Sequence, residues 1–345
     1  MLVLETTARS GVSTHQGKTI KETARDLEAA VQLNAALADC LCRSMRAWRL
    51  SHETDKAYNS RQIHLCVIWL STRPTELNMP YASAAAGAEI FYESYGEGTP
   101  ILMSAGMGGN SSFWTPQIAT LSERHTVIVY DHVGTARSRN GNDSVRTIAG
   151  MADDMVCVLD RVGVKAAHVV GHAVGGIVGL ELAMTQPERL CSVTVVNGWG
   201  RADAHLLRCF EVRREILKQS GPRAYVRAQP LFLFPPQWIA ENEAKLDADE
   251  AQILAHFPPA DTINKRIEMF LAFDPGERLA GITTPTLITT ATDDALVPAY
   301  LTRELAAAIP GARLRQVDYG AHAFTAVTPD IFNTMLLDFI AGAGG

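Results

Sequence analysis

The sequence predicts an α/β fold: a mostly parallel central sheet, helices on both of its faces, and a helical cap inserted between two strands. Three observations carry this. From Ala88 onward, short apolar runs alternate with helical stretches of roughly ten to fifteen residues, the pattern of strand–helix–strand crossovers. The strand runs are almost wholly apolar, which suits a sheet covered on both sides. One long segment, Gly200 to Asp274, breaks the rhythm.

Taken in order, Ala88–Tyr95 is a strand closed by Gly96-Glu97-Gly98, and Ile101–Ser104 is a short buried strand. Trp114–Leu121 has helical spacing. Thr126–Tyr130 is a strand ending at Asp131. Helix Ile148–Val162, strand Ala167–Gly171, helix Val174–Met184 and strand Val193–Val196 follow. The break from Gly200 is helical in pattern but punctuated by Pro222, Pro230, Pro235, Pro236, Pro258 and Pro259, so it reads as several short helices. The alternation resumes with strand Pro285–Thr290, helix Ala299–Ala308, strand Arg313–Val317 and helix Pro329–Ile340. The expected organisation is a core of 79–199 and 275–345 with a cap at 200–274.

Residues 1–78 do not share this pattern. Thr23–Leu50 has near-helical apolar spacing, and Ile63–Leu70 is a short apolar run of either type. There is no basic-then-apolar leader, and Glu22, Asp26, Glu28 and Asp39 argue against a transit peptide. The segment reads as a poorly ordered extension or a mis-assigned start, with translation expected to begin at Met79.

Composition narrows the function classes. Of 345 residues, 47% are hydrophobic and 20% charged, enough for a substantial core. The net charge of −6 argues against non-specific binding to nucleic acid or anionic membranes. No stretch has the length of a membrane-spanning helix. Cys40, Cys42, Cys66, Cys157, Cys191 and Cys209 form no C-x-x-C pair, so they read as reduced core residues of a cytoplasmic protein with no metal.

Four places bear chemistry. The first is Gly171-His172-Ala173-Val174-Gly175, after an apolar strand and before a helix. This is the glycine spacing of a G-x-S-x-G nucleophile elbow, where small residues let a sharp turn pass between strand and helix. Ala173 stands where the attacking hydroxyl belongs. His172 reads as packing beside the turn. The second is Ala105-Gly106-Met107-Gly108-Gly109-Asn110, a glycine-rich turn after a buried strand. In elbow proteins that loop and the residue after the nucleophile supply the oxyanion hole, which nominates the backbone N–H groups of Met107 and Val174. The third is Asp293-Asp294, just past a strand and ahead of Pro298. Asp294 is the candidate to orient a histidine, and Asp293 reads as a helix-capping aspartate. The fourth is His322 on the turn Tyr319-Gly320-Ala321-His322, the candidate general base.

The order elbow, acid, histidine from Ile101 to His322 resembles the α/β-hydrolase fold, from about Ala86 onward. Val196-Asn197-Gly198-Trp199, Arg208-Cys209-Phe210, Ala228 to Pro235, Ala255-His256-Phe257 and the Gly-His-Ala elbow are similar to the pyrimidine-utilisation protein D family, which also has alanine at the nucleophile position. The resemblance implies hydrolysis of carbamate, a role formerly given as 2-aminoacrylate hydrolysis, in uracil nitrogen catabolism. One departure is Asp131-His132-Val133-Gly134, where arginine often precedes the glycine; it bears on loop packing.

An alanine elbow cannot form an acyl-enzyme. In serine proteases the oxyanion hole and binding alone still give about 10³–10⁴-fold over water, enough for a labile small molecule. The expectation is therefore water attack assisted by His322 and Asp294, without cofactor, on a small-molecule substrate, with a homodimer as one assembly open to the fold. Two alternatives stay open: a non-catalytic binding protein, and a cofactor-free lyase or oxygenase using the same histidine–aspartate pair.

Overall fold

The structure, a computed structural model, describes residues 80–141 and 146–343. The extension at 1–78, the helix expected at Thr23–Leu50, Met79 and three cysteines (Cys40, Cys42, Cys66) lie outside the described residues.

Eight strands form one sheet: β1 Tyr81–Ser83, β2 Glu89–Tyr95, β3 Thr99–Ser104, β4 His125–Tyr130, β5 Ala167–His172, β6 Leu190–Val196, β7 Thr286–Ala291 and β8 Arg313–Val317. Their order is β1-β2-β4-β3-β5-β6-β7-β8. The β1–β2 and β2–β4 pairings are antiparallel, and all the others are parallel. Strand β1 is absent from the sequence reading because three residues are too few to show a period.

Helices α1 Thr115–Leu121, α2 Ile148–Val162 and α3 Val174–Thr185 connect the first six strands. Five helices lie between β6 and β7: α4 Ala204–Ala228, α5 Pro230–Leu233, α6 Pro236–Glu241, α7 Glu243–Ala255 and α8 Ala260–Leu271. Helix α4 is broken at Gly221-Pro222, where Gly221 takes φ 79°. Helices α9 Ala299–Ala308, α10 Phe324–Val327 and α11 Pro329–Ala343 complete the chain.

Strand alternation divides the apolar runs between two cores. Leu102, Ile128, Val169 and Val193 face the layer containing Met151, Met155, Val158, Ile177 and Val178. Ile101, Met103, Val127, Val129 and Val170 face Trp114, Leu121, Phe324, Phe332 and Leu336. Successive side chains of a strand point to opposite faces, so a doubly covered strand must be apolar throughout. Helix α2 shows how local signals agree with this packing. Thr147 accepts from Gly150 N–H at 3.0 Å to cap its start, and Gly163 at φ 78° ends it. Its buried stripe includes Ile148, Met151, Met155, Val158 and Leu159; each such side chain contributes about 1.5–3 kcal/mol by leaving water.

The three described cysteines are free thiols. They are half-buried, so the expectation of core residues is corrected: Cys157 lies within α2, Cys209 within α4 and Cys191 near the start of β6, each with part of its surface in solvent.

Among the described residues, no helix is long and apolar enough to cross a membrane.

Candidate active site

Every candidate residue lies just beyond the C-terminal end of a parallel strand, the edge where open α/β sheets place ligands. Met107 follows β3, His132 follows β4, Ala173 follows β5, Asn197 follows β6, Asp294 follows β7 and His322 follows β8.

The elbow is built by close approach. A Cβ on Gly171 would lie 2.2 Å from the carbonyl carbon and oxygen of Gly175, and one on Gly175 would lie 2.4 Å from the Ser104 carbonyl oxygen. Only glycine passes at both places. Between them Ala173 takes φ 47° and ψ −109°, a region that costs a non-glycine residue about 1–3 kcal/mol. The elbow keeps this strained shape although no serine occupies it. The glycines make a stability prediction. Gly171→Ala is expected to lose about 3 kcal/mol or more, because backbone must move to admit the methyl. Gly281→Ala, with nothing within 4 Å of the added carbon, is expected to stay within about 0.5 kcal/mol of the parent. Urea unfolding of the two variants side by side measures the difference.

His322 is 3% exposed, and its Nδ1 lies 2.8 Å from Asp294 Oδ2. The turn that carries it is unusual: Gly320 has φ 127° and Ala321 φ 54°. Asp294 is held by three further donors. Its Oδ1 accepts from Leu296 N–H at 2.8 Å and Val297 N–H at 2.9 Å, and its Oδ2 accepts from Asn197 Nδ2 at 2.5 Å. A carboxylate at Nδ1 fixes the Nδ1–H tautomer and leaves Nε2 with the lone pair.

Asp293 departs from the sequence reading. It caps no helix; its carboxylate accepts from Gly320 N–H at 3.1 Å and Ala321 N–H at 2.8 Å. It therefore ties down the turn that bears the histidine. A backbone in the left-handed region offers adjacent N–H groups to one carboxylate, and spacing along the chain does not reveal that partnership.

His172 does more than pack beside the turn. Its Nε2–H donates to the His322 carbonyl oxygen at 2.8 Å, its ring stacks on Phe113 with centroids 4.4 Å apart, and it meets the His322 ring edge-on at 4.7 Å. Burial, reinforced by the neighbouring His322, holds it well below the usual histidine range, so it stays neutral.

The N–H groups of Met107 and Val174 have no protein acceptor among the described residues. Val174 opens α3, where the first N–H groups of any helix lack intrahelical partners and the dipole favours negative charge.

Sequence reasoning missed a buried polar chain behind the glycine loop. Tyr130 Oη and Ser104 Oγ are 2.9 Å apart, and His132 Nε2 is 3.0 Å from Ser104 Oγ. On the other side of the ring, Arg266 Nη2 on α8 donates to His132 Nδ1 at 3.3 Å and to the Met107 carbonyl at 2.9 Å. The Asp131-His132-Val133-Gly134 segment is tied to its neighbours by side-chain hydrogen bonds. Asp131 accepts from Ser111 N–H at 2.9 Å and from Arg137 Nε at 2.9 Å, so an arginine three residues beyond the glycine braces the loop.

Burial, with Arg266 adding to it, lowers the His132 pKa to about 3. Between pH 6.5 and about 3 the folded chain holds His132 neutral while the unfolded chain protonates it, so stability falls as the pH falls through this window. The contribution is about 1.4 kcal/mol per pH unit at most. His132→Gln is expected to flatten the acid limb of unfolding free energy against pH; an unaltered slope between pH 4 and 6 contradicts this.

Fold, elbow and the acid–histidine pair at one sheet edge define an α/β-hydrolase type of protein. The family model described as alpha/beta hydrolase fold matches residues 99–325. The chain is 62% identical over 262 residues to "Putative carbamate hydrolase RutD" of Azorhizobium caulinodans, covering 76% of this chain and 98% of that protein. It is 47% identical over 243 residues to the protein of the same name from Caulobacter vibrioides, covering 70% and 90%. The enol-lactonase from Burkholderia xenovorans has a similar structure, with a TM-score of 0.67, 26% identity, and coverage of 76% of this chain and all of that one. The chain belongs to the RutD family of the α/β-hydrolase fold.

Proposed function

We propose that this protein hydrolyses carbamate, a C–N bond cleavage in pyrimidine nitrogen catabolism in the cytoplasm, by water attack without a serine nucleophile. The name of the relatives supports the substrate. The observation that carries the chemistry is the His322–Asp294 pair at 2.8 Å beside a strained elbow whose neighbouring N–H groups have no protein acceptor. A binding protein with no chemistry to perform has no need to keep Ala173 at φ 47°.

The step balances as carbamate plus water giving ammonia and bicarbonate. His322 Nε2 takes a proton from water, and the water oxygen bonds to the carbamate carbon. The N–H groups of Met107 and Val174 hold the developing negative oxygen. The same histidine returns the proton to nitrogen as the C–N bond breaks. Asp294 keeps the imidazole oriented and stabilises it when charged. The room left by the absent serine side chain admits the water.

2-Aminoacrylate is the alternative substrate on this reading, since it too is small, labile and carries a carboxylate. Supplying fresh carbamate and 2-aminoacrylate separately, and timing ammonia release with and without protein, tests both. Acceleration with carbamate supports the proposal; equal rates with and without protein for both compounds reject it.

A further inference from the structure

The cap sets one guanidinium over the glycine loop, and among the described residues no carboxylate pairs with it. Arg266 is 7% exposed. Its protein partners, the Met107 carbonyl and His132 Nδ1, are neutral acceptors, and both are bonded by Nη2. Its Nε and Nη1 donors have no acceptor among the described residues. Burial lowers its pKa to about 10, still far enough above neutrality to keep the charge.

The other well-buried cations are answered differently. Arg146 pairs with Asp154 at 3.2 Å. Arg213, also without a carboxylate, is enclosed by the rings of Phe210, Tyr225 and Phe232, whose π faces meet its charge. Among the described residues Arg266 has neither an acid nor an aromatic face against its guanidinium. A charge moved out of water with only neutral acceptors and no opposite charge is costly, and an arriving anion offsets that cost.

The position gives that anion a purpose. Arg266 grips the carbonyl of Met107, the residue whose N–H is assigned above to the developing oxyanion. Gly106, one residue earlier, packs against His172, and His172 bonds the His322 backbone. The guanidinium thus belongs to the same wall as the proposed chemistry.

We propose that Arg266 is the anion anchor of the site, its free donors taking a carboxylate oxygen of a small monocarboxylate while Nη2 stays fixed on the Met107 loop. This rests on the reading that the loop borders the substrate. It adds a selection rule: the ligand carries a negative charge, and neutral molecules of the same shape are refused. For carbamate the anchor also offsets the charge that opposes water attack at carbon.

Acetate, the planar isostere of carbamate, and neutral acetamide are the probes. The Arg266 Nε–H resonance, assigned by its loss in Arg266→Lys, is followed by NMR in the wild-type protein as each probe is added. Acetate is expected to shift it saturably, and acetamide at equal concentration to leave it in place. In Arg266→Met, acetate binding should weaken by about tenfold or more, with part retained in Arg266→Lys. Equal response to both probes, no saturable response, or unchanged acetate affinity in Arg266→Met overturns the proposal. If Arg266→Met does not fold, the wild-type comparison of the two probes still decides. The readout is binding, so acetate selectivity without carbamate turnover rejects hydrolysis and leaves the anchor standing. Turnover without acetate selectivity does the reverse.

Discussion

His322→Ala is expected to lower protein-dependent ammonia release from carbamate by about 10²–10⁴-fold, the range that a positioned general acid–base contributes. The loss should appear in kcat and in kcat/KM alike, because the proton transfers occur only on the way to the transition state. His322 is buried and its backbone carbonyl accepts from His172, a bond the alanine variant keeps, so the turn should survive the truncation. Asp294→Asn should act through the histidine, because an amide in place of Oδ2 no longer enforces the Nδ1–H tautomer. Ammonia release is compared at matched protein concentration, after thermal unfolding has established that each variant is folded. A rate in His322→Ala equal to the parent removes the histidine from the mechanism.

Ala173→Ser is expected to create esterase activity absent from the parent. The elbow geometry is already in place at φ 47°, so a serine adds no new backbone strain, and its hydroxyl would arise at the position that the fold reserves for a nucleophile. The His322–Asp294 pair is set and the Met107 and Val174 N–H groups have no protein acceptor among the described residues, so on the proposed reading the serine is the missing part of an acyl-transfer site. A p-nitrophenyl acetate assay should show a rise of about 10²-fold or more over the parent, with a burst from the acyl-enzyme. The variant should lose carbamate hydrolysis as the hydroxyl takes the space of the attacking water. Silence toward the ester, in a folded variant, means that acid, base and oxyanion donors are not aligned.

Local signals carried much of this architecture. Helices Ile148–Val162 and Ala299–Ala308 and strand Arg313–Val317 begin and end where the sequence reading puts them, because caps, glycines and prolines mark their ends. The elbow was legible for the same reason: Gly171 and Gly175 are dictated by backbone approach, which leaves a fixed spacing. The remaining wall was not legible because its partners are remote in sequence. Asn197 reaches Asp294 across 97 residues, and Arg266 reaches Met107 across 159. Asn197 did leave a trace, an asparagine before glycine at a strand end, where a positive φ of 51° is tolerated. Arg266 left none, since an arginine on an amphipathic cap helix reads as a solvated face until the fold buries it. Asp293 and Asp294 are neighbours with different tasks, and only the conformation of the distant Gly320-Ala321 turn separates them.

The most direct test of water attack is the identity of the first carbon product. Carbamate that falls apart unaided gives carbon dioxide, which hydrates afterward, whereas attack by water at carbon gives bicarbonate at once. Membrane-inlet mass spectrometry of ¹³C-carbamate mixed with the wild-type protein follows dissolved carbon dioxide in time, and bicarbonate is counted as the further carbon dioxide released when samples are acidified after carbamate is consumed. The expected result is bicarbonate formed first, at a rate proportional to protein. Carbon dioxide appearing first, at a rate that ignores the protein, contradicts the account.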